Sequence, residues 1–235
     1  CEIAVKTSVD YFMFCDQDDV WNKNKIEITF NRMLKVEKKY EGRPVLVHTD
    51  LEVVDQNLES LGTSFMEYRA LDSTITSINR LLVQNNVTGC TMMINRVLLE
   101  KAMKLSDIDA IAMHDWWFSL VASLFGKISF VDQATIKYRQ HGNNVVGATK
   151  VNTFSFILQR LRGKNHIREV FHLSSTQAQE LLKIYDRKLN QKQKQCIQAM
   201  ADLEKKNKIT RIYTVIRYGM LKQGIVQVIG EILFI

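Results

Sequence analysis

Several common signatures are missing from this chain, and each absence closes a class. None of its four cysteines is spaced from another as CxxC, which excludes the zinc-ribbon and dithiol-redox patterns. Cys15, Cys90 and Cys196 instead sit in apolar or helical surroundings, as reduced structural thiols of a cytosolic compartment do. No uninterrupted apolar stretch reaches the length of a transmembrane helix. With no signal peptide read in these residues, the Asn86-Val87-Thr88 sequon is expected to be a chance match. Internal repeats, low-complexity stretches and a glycine-rich phosphate loop are also lacking. The single proline, Pro44, marks one turn together with Gly42. The chain starts at Cys1 with no initiator Met, and a fragment of a longer protein is expected.

What is present describes a globular protein. The 235 residues are 46% hydrophobic and 24% charged, enough for a substantial core. Charge is unevenly placed. Residues 1–150 carry 17 Lys and Arg against 19 Asp and Glu, whereas residues 151–235 carry 15 against 6. A near-neutral body with a basic tail points to an anionic partner for the tail alone.

Chemistry concentrates after the first strand. Tyr11-Phe-Met-Phe-Cys15 reads as buried, and Asp16, Asp18 and Asp19 follow within four residues. Adjacent buried anions are costly unless a cation or donors neutralise them. Hard carboxylate oxygens favour Mg²⁺ or Mn²⁺, which also takes oxygens from a substrate diphosphate. The plainer alternative is a loop in which Asp18 or Asp19 caps the next helix.

The remaining pattern alternates strands and helices. Helical spacing covers Trp21 to about Tyr40, with Ile26, Phe30, Met33, Leu34 and Val36 apolar. Val45–Thr49 forms a second strand extended by 51–57, completing one βαβ-like unit. Residues 60–72 read as loop, Thr74–Gln84 as a helix, Cys90–Ile94 as a strand and Val97–Met103 as a helix. Gly89 is read as a turn glycine, the alternative being close approach of backbone to a ligand. Asp115 is expected at or near the N-cap of an apolar helix, Trp116–Phe125, ended by Gly126. Two strands follow, 127–132 and 135–139. Beyond Asn152 the pattern is wholly helical: Phe154–Arg162, a long helix capped by Ser174 or Ser175 and running to about Asn207, and a segment capped by Thr210.

Three motifs carry a family resemblance. Phe14-Cys-Asp16-Gln-Asp18-Asp19-Val-Trp21, followed by Lys25-Ile26-Glu27, resembles the DxD segment of family 2 glycosyltransferases. The likeness is in particular to rhamnosyltransferase-like enzymes of bacterial surface-polysaccharide synthesis. His114-Asp115-Trp116-Trp117 and Tyr138-Arg139-Gln-His141-Gly-Asn-Asn144 resemble later stretches of that family in the same order. The likeness spans most of residues 1–148.

The resemblance implies an α/β fold: a partial GT-A (Rossmann-like) core over residues 1–148, then a basic helical region over 149–235. The family's nucleotide-binding β-α-β-α-β half would precede Cys1, so residues 1–235 alone are expected to be inactive and prone to associate. The implied reaction is an inverting, metal-dependent transfer of a sugar, with rhamnose as the indicated one. It runs from a nucleotide-diphosphate donor to a glycan or lipid-linked acceptor. Asp18, with Asp16, Asp19 and His141, would hold Mg or Mn, and Asp16, Arg139 and His141 would meet the donor diphosphate. Asp115 would be the base, and Trp116 and Trp117, unless plain core, would wall the acceptor. The expected location is cytoplasmic, peripheral at the inner face of the plasma membrane through an anionic lipid surface. The rival readings are a metal-dependent phosphotransferase and a non-catalytic basic interaction module. A nucleic-acid partner is not expected, because the basic residues cluster neither with aromatics nor in a known motif.

Overall fold

A computed structural model describes residues 1–140 and 164–235. The expected helix over 154–162, and His141 with the residues that follow it, lie outside the described residues. The fold is mixed α/β with a helical C-terminal region.

The sheet is built around β3 (Val45–Val54). Its neighbour along the whole of one edge is β6 (Lys127–Arg139), in parallel. The other edge pairs antiparallel with β5 (Met92–Asn95) over its first half and with β4 (Ser60–Gly62) at its end. β1 (Tyr11–Met13) lies outside β5, and β2 (Val20–Trp21) lies outside β6, both antiparallel to their neighbours. The expected βαβ-like unit therefore has β5 inserted between its two strands, an arrangement that no local spacing could announce.

Alternation along the strands sorts side chains to two faces. Val45, Val47 and Met93 pack against Met33 and Val36 of α2 (Lys25–Lys39). Leu46, Met92, Ile94 and Ile128 face the other way, against α5 (Arg96–Ala102) and α6 (His114–Phe125). Trp21, expected at the start of the first long helix, is in β2 instead. Pairing of Val20 and Trp21 with Lys137 and Ile136 holds it there, and the helix begins only at Lys25. The two strands expected over 127–139 are one, with its register to β3 shifting near Thr49 and Asp50. Gly126 joins α6 to β6. A Cβ there would lie 1.8 Å from the Pro44 carbonyl oxygen, which accepts the Lys127 N–H at 2.9 Å, so this close approach requires glycine.

Residues 60–72 are more ordered than their composition indicates. After β4, Ser64 caps α3 (Phe65–Arg69). Asp50 anchors it: Oδ1 accepts the N–H groups of Leu51, Phe65 and Met66, and Oδ2 accepts the Ser64 hydroxyl. The helix expected over 74–84 is reduced to α4 (Ile78–Leu81). Asp72 forms a turn with Thr74, and the Asn86 amide donates to the Asp72 and Ile75 carbonyls, so the backbone on either side is held in non-helical form.

The C-terminal region contains α7 (Lys164–Tyr185), α8 (Gln191–Ala201), α9 (Lys208–Tyr218) and α10 (Ile225–Phe234). Ser174 and Ser175 cap nothing. Both are buried within α7, and Ser175 Oγ donates to the Ala201 carbonyl at 2.9 Å. The expected long helix is broken after Tyr185, and Asn190 with Gln193 restarts it through a reciprocal capping box. Asn207, not Thr210, caps α9, and Thr210 supplies the N–H that its side chain accepts. These helices share one core with α5 and α6 through Phe171, Leu181, Ile197, Met200, Val215 and Met220. Among the described residues no helix is long and apolar enough to cross a membrane.

Candidate active site

The loop after β1, the start of α6 and the segment 84–89 enclose a cleft of about 700 Å³. Asp16, Asp18, Asp115 and Trp116 line it, together with Phe65, Arg69, His114 and Tyr138.

The acidic loop is held from three sides. Its C-terminal end enters β2, whose pairing with β6 continues in the Asn22 N–H bond to the Thr135 carbonyl. Arg139, at the end of β6, donates its backbone N–H to Asp19 Oδ1 (3.2 Å) and its Nε to the Asp18 carbonyl (3.1 Å). Its guanidinium also donates to the Gln56 carbonyl. Arg139 thus fastens the loop to the sheet.

One ligand atom each from Asp16, Asp19 and Cys90 lies within 4.8 Å of the others. Asp19 Oδ2 is shut off from solvent without a well-aligned donor, the Cys90 thiol standing beside it. Burial pushes the Asp19 carboxyl up to about 6, against the Arg139 N–H and the Cys90 thiol, while the charges of Asp16 and Asp18 push it further. Cys90 is itself buried, and burial, then Asp19 and Asp16, hold its thiol well above the usual range. It is a protonated S–H donor here. Two converging carboxylates, one with an orphaned buried oxygen, suit a hard divalent cation, and a protonated thiol adds no hard ligand. Asp18 faces the cleft outside this group.

Lys25, given no role in the sequence beyond starting the helix after the acidic loop, is fully buried. Its ammonium lies 4.8 Å from the centre of the Trp21 ring, with no hydrogen-bond partner among the described residues. Burial lowers its pKa to about 8, while the charge of Asp19 supports the ammonium form. It is a fixed positive charge beside the carboxylates. The one available signal was its place at the first turn of α2, where a cation opposes the helix dipole.

Asp115 lies in the first turn of α6, and Met113 occupies the N-cap. Asp115 Oδ1 accepts the Trp116 N–H at 2.6 Å, and Oδ2 accepts the Gly89 N–H at 2.9 Å. Burial raises its pKa, against His114 and those two hydrogen bonds, and the charge of Asp16 adds to the rise. A buried carboxyl made more basic is what proton abstraction needs. Gly89 makes the junction possible, because a Cβ there would sit 2.6 Å from His114 Nε2. The close approach at this glycine, expected only as an alternative to a turn and then to a ligand, is to a protein side chain. On its other flank the His114 ring packs on Phe14, with centroids 4.8 Å apart.

The two tryptophans part company. Trp116 borders the cleft and donates its indole N–H to the Leu81 carbonyl (2.6 Å). Trp117 is 2% exposed and donates to the Ala102 carbonyl (2.9 Å), away in the core beside α5. In this arrangement it cannot wall an acceptor.

An α/β body that gathers Asp16, Asp18 and Asp115 in one cleft has the form of a group-transfer site. No protein-family model matches the chain. It is similar to an uncharacterized glycosyltransferase of Rickettsia prowazekii, 30% identical over 135 residues, which is 56% of this chain and 40% of the relative. An uncharacterized glycosyltransferase of Rickettsia typhi is 28% identical over 134 residues, with the same two shares. The match thus spans well under half the length of these curated relatives.

Proposed function

We propose that this chain forms the metal-side and acceptor-side walls of a glycosyltransferase, acting by inversion on a nucleotide-diphosphate sugar. The observation that carries the proposal is one cleft lined by Asp16, Asp18 and Asp115, with Asp19 converging on Asp16 at its acidic loop. Names of the Rickettsia relatives support the same reaction class. In this reading Asp115 takes the proton of an acceptor hydroxyl as its oxygen bonds to the anomeric carbon and the bond to the diphosphate breaks. Trp116 offers its face to the acceptor. Asp16 and Asp19 would hold Mg or Mn, joined by Asp18 and, on the motif resemblance alone, His141, and the ion would offset charge on the departing diphosphate. Arg139 and Lys25 keep that carboxylate group in place and its charge tolerable. A glycan or lipid-linked acceptor and rhamnose as the transferred sugar, for surface-polysaccharide synthesis, complete the proposal from the motif resemblance.

The test is Asp115→Asn in the full-length protein, assayed with a panel of nucleotide sugars. Loss of a general base costs about 10²–10⁴-fold in turnover, with donor affinity kept. Both oxygens of Asp115 accept backbone N–H groups, so the new amide leaves one of them unpaired, and circular dichroism must show the fold retained. Near wild-type turnover in a folded variant would discard the assignment.

A further inference from the structure

The last two helices carry apolar side chains on more than one side. α9 turns Val215 into the shared core, and Met220 follows it there. Away from that core Ile209, Tyr213 and Ile216 stand 82%, 58% and 59% exposed, spaced three and four residues apart along one stripe. α10 does the same with Ile225, Ile229 and Leu233, which are 80%, 54% and 49% exposed, while Glu231 and Ile235 are buried. The two helices are neighbours running in opposite directions. A short turn joins them, and Lys208 Nζ, at the start of α9, donates to the Leu233 carbonyl near the end of α10 at 2.7 Å. Large apolar stripes on adjacent helices are unusual on a surface exposed to water alone.

Charge identifies what covers them. Residues 208–235 contain Lys208, Arg211, Arg217 and a buried Lys222, and their one side-chain carboxylate, Glu231, is fully buried. Every side-chain charge that this face shows to solvent is positive. The nearest preceding acids are engaged, Asp202 with Lys205 at 2.8 Å and Glu204 with His172 at 3.0 Å. A second copy of the chain would bring the same positive charges together, and like charges face to face oppose association.

We propose that α9 and α10 dock on an anionic lipid bilayer, lying in its interface with both apolar stripes sunk among the acyl chains and the basic residues against headgroup phosphates. An interfacial surface needs apolar area rimmed with Lys and Arg: α9 supplies Lys208, Arg211 and Arg217 beside its stripe, α10 adds apolar area alone, and neither spans. Tyr213 suits the headgroup level, its ring apolar and its hydroxyl able to meet water. Docking also orients the cleft. Asn79 donates to the Tyr218 and Gly219 carbonyls, and Gln84, which lines the cleft, accepts from the Gln223 N–H and donates to Gln227. The lipid-facing hairpin is therefore fastened to one wall of the site. This inference stands independently of the chemistry assigned to that site.

Sedimentation of the full chain with phosphatidylcholine vesicles, with and without phosphatidylglycerol, tests it. Binding should require phosphatidylglycerol and weaken in high salt. Ile216→Asp combined with Ile229→Asp should lower partitioning at least about tenfold, and Arg217→Gln alone about fivefold. The two isoleucines are exposed, so circular dichroism should not change. Equal binding to both vesicle types, binding to neither, or unchanged binding by the double variant would overturn the proposal. So would a dimer in analytical ultracentrifugation that the double variant dissolves, because a second copy would then be the occupant.

Discussion

The body and the C-terminal region place their unusual side chains in opposite directions. Residues 1–140 turn charge inward: Asp115, Asp50 and Lys25 are all buried, and Asp19 is partly so. Residues 208–235 turn hydrophobicity outward, with Ile209 and Ile225 the most exposed large apolar side chains among the described residues. Each arrangement is unfavourable by itself. Burying a charge is tolerated where donors or counter-charges are fixed around it, as backbone N–H groups are around Asp115. Exposing an apolar stripe is tolerated where a surface covers it. The difference separates the two proposed roles, a carboxylate-lined cleft that would act on a ligand and an apolar, basic face that would dock.

Crossed assays are the strongest way to break that separation. Asp115→Asn should lose about 10²–10⁴-fold in turnover with vesicle binding intact, while Ile216→Asp with Ile229→Asp should do the reverse in the absence of lipid. A single variant that lowered both in soluble assays would merge the two regions into one site.

Stability sharpens the contrast within the C-terminal region itself. Met200 is wholly buried in the shared core, so Met200→Ala should cost about 2–5 kcal/mol in urea denaturation. At Ile209, which is 82% exposed, Ile209→Ala should change stability by no more than about 0.5 kcal/mol.

Gly89→Ala probes the junction of the cleft walls. The added methyl would press on His114 Nε2 at 2.6 Å and move Asp115 with it. A misplacement of this kind costs about 10²-fold in turnover, and donor binding measured by calorimetry should persist.

The smallest effect concerns Glu231. It is buried with one oxygen accepting the Lys222 N–H (2.8 Å) and the other unpaired. Burial pushes its carboxyl from 4.5 up to about 7, against that hydrogen bond and the charges of Lys222 and Arg80. The folded state therefore holds a proton that the unfolded chain has released between pH 4.5 and about 7. This contribution to stability is present below the lower value and is lost as pH rises through the upper one. Glu231→Gln, which keeps an acceptor for Lys222, should flatten the fall in Tm across that window and raise Tm above it. An unchanged pH profile would show that Glu231 is ionised in the folded protein.

Elements whose signals lie within a few residues were legible. The apolar spacing of α2, the run of β3 and the stop at Gly126 all identify their elements. At Ser174, Ser175 and Thr210 a capping residue type was present, but the helix started elsewhere. Two of these serines serve close packing inside α7, because a short side chain that can return a hydrogen bond to backbone is as useful between helices as at their ends. The 74–84 segment misled for a related reason: its periodicity is helical, but Asn86 and the 218–223 turn take its polar groups.

By itself the sequence determined that an apolar strand would end in three carboxylates, that Asp115 would open a buried helix, and that the positive charge would gather in the C-terminal third. These properties depend on neighbours along the chain, and any fold that buries the apolar periods preserves them. Only the tertiary structure decided that Asp19 meets Cys90, that Gly89 holds Asp115, and that Arg139 fastens the acidic loop from 120 residues away. It also decided that Trp116 borders the cleft while Trp117 fills the core, since adjacent residues on a helix point about 100° apart and no local signal says which of them meets the protein and which meets the space between its walls.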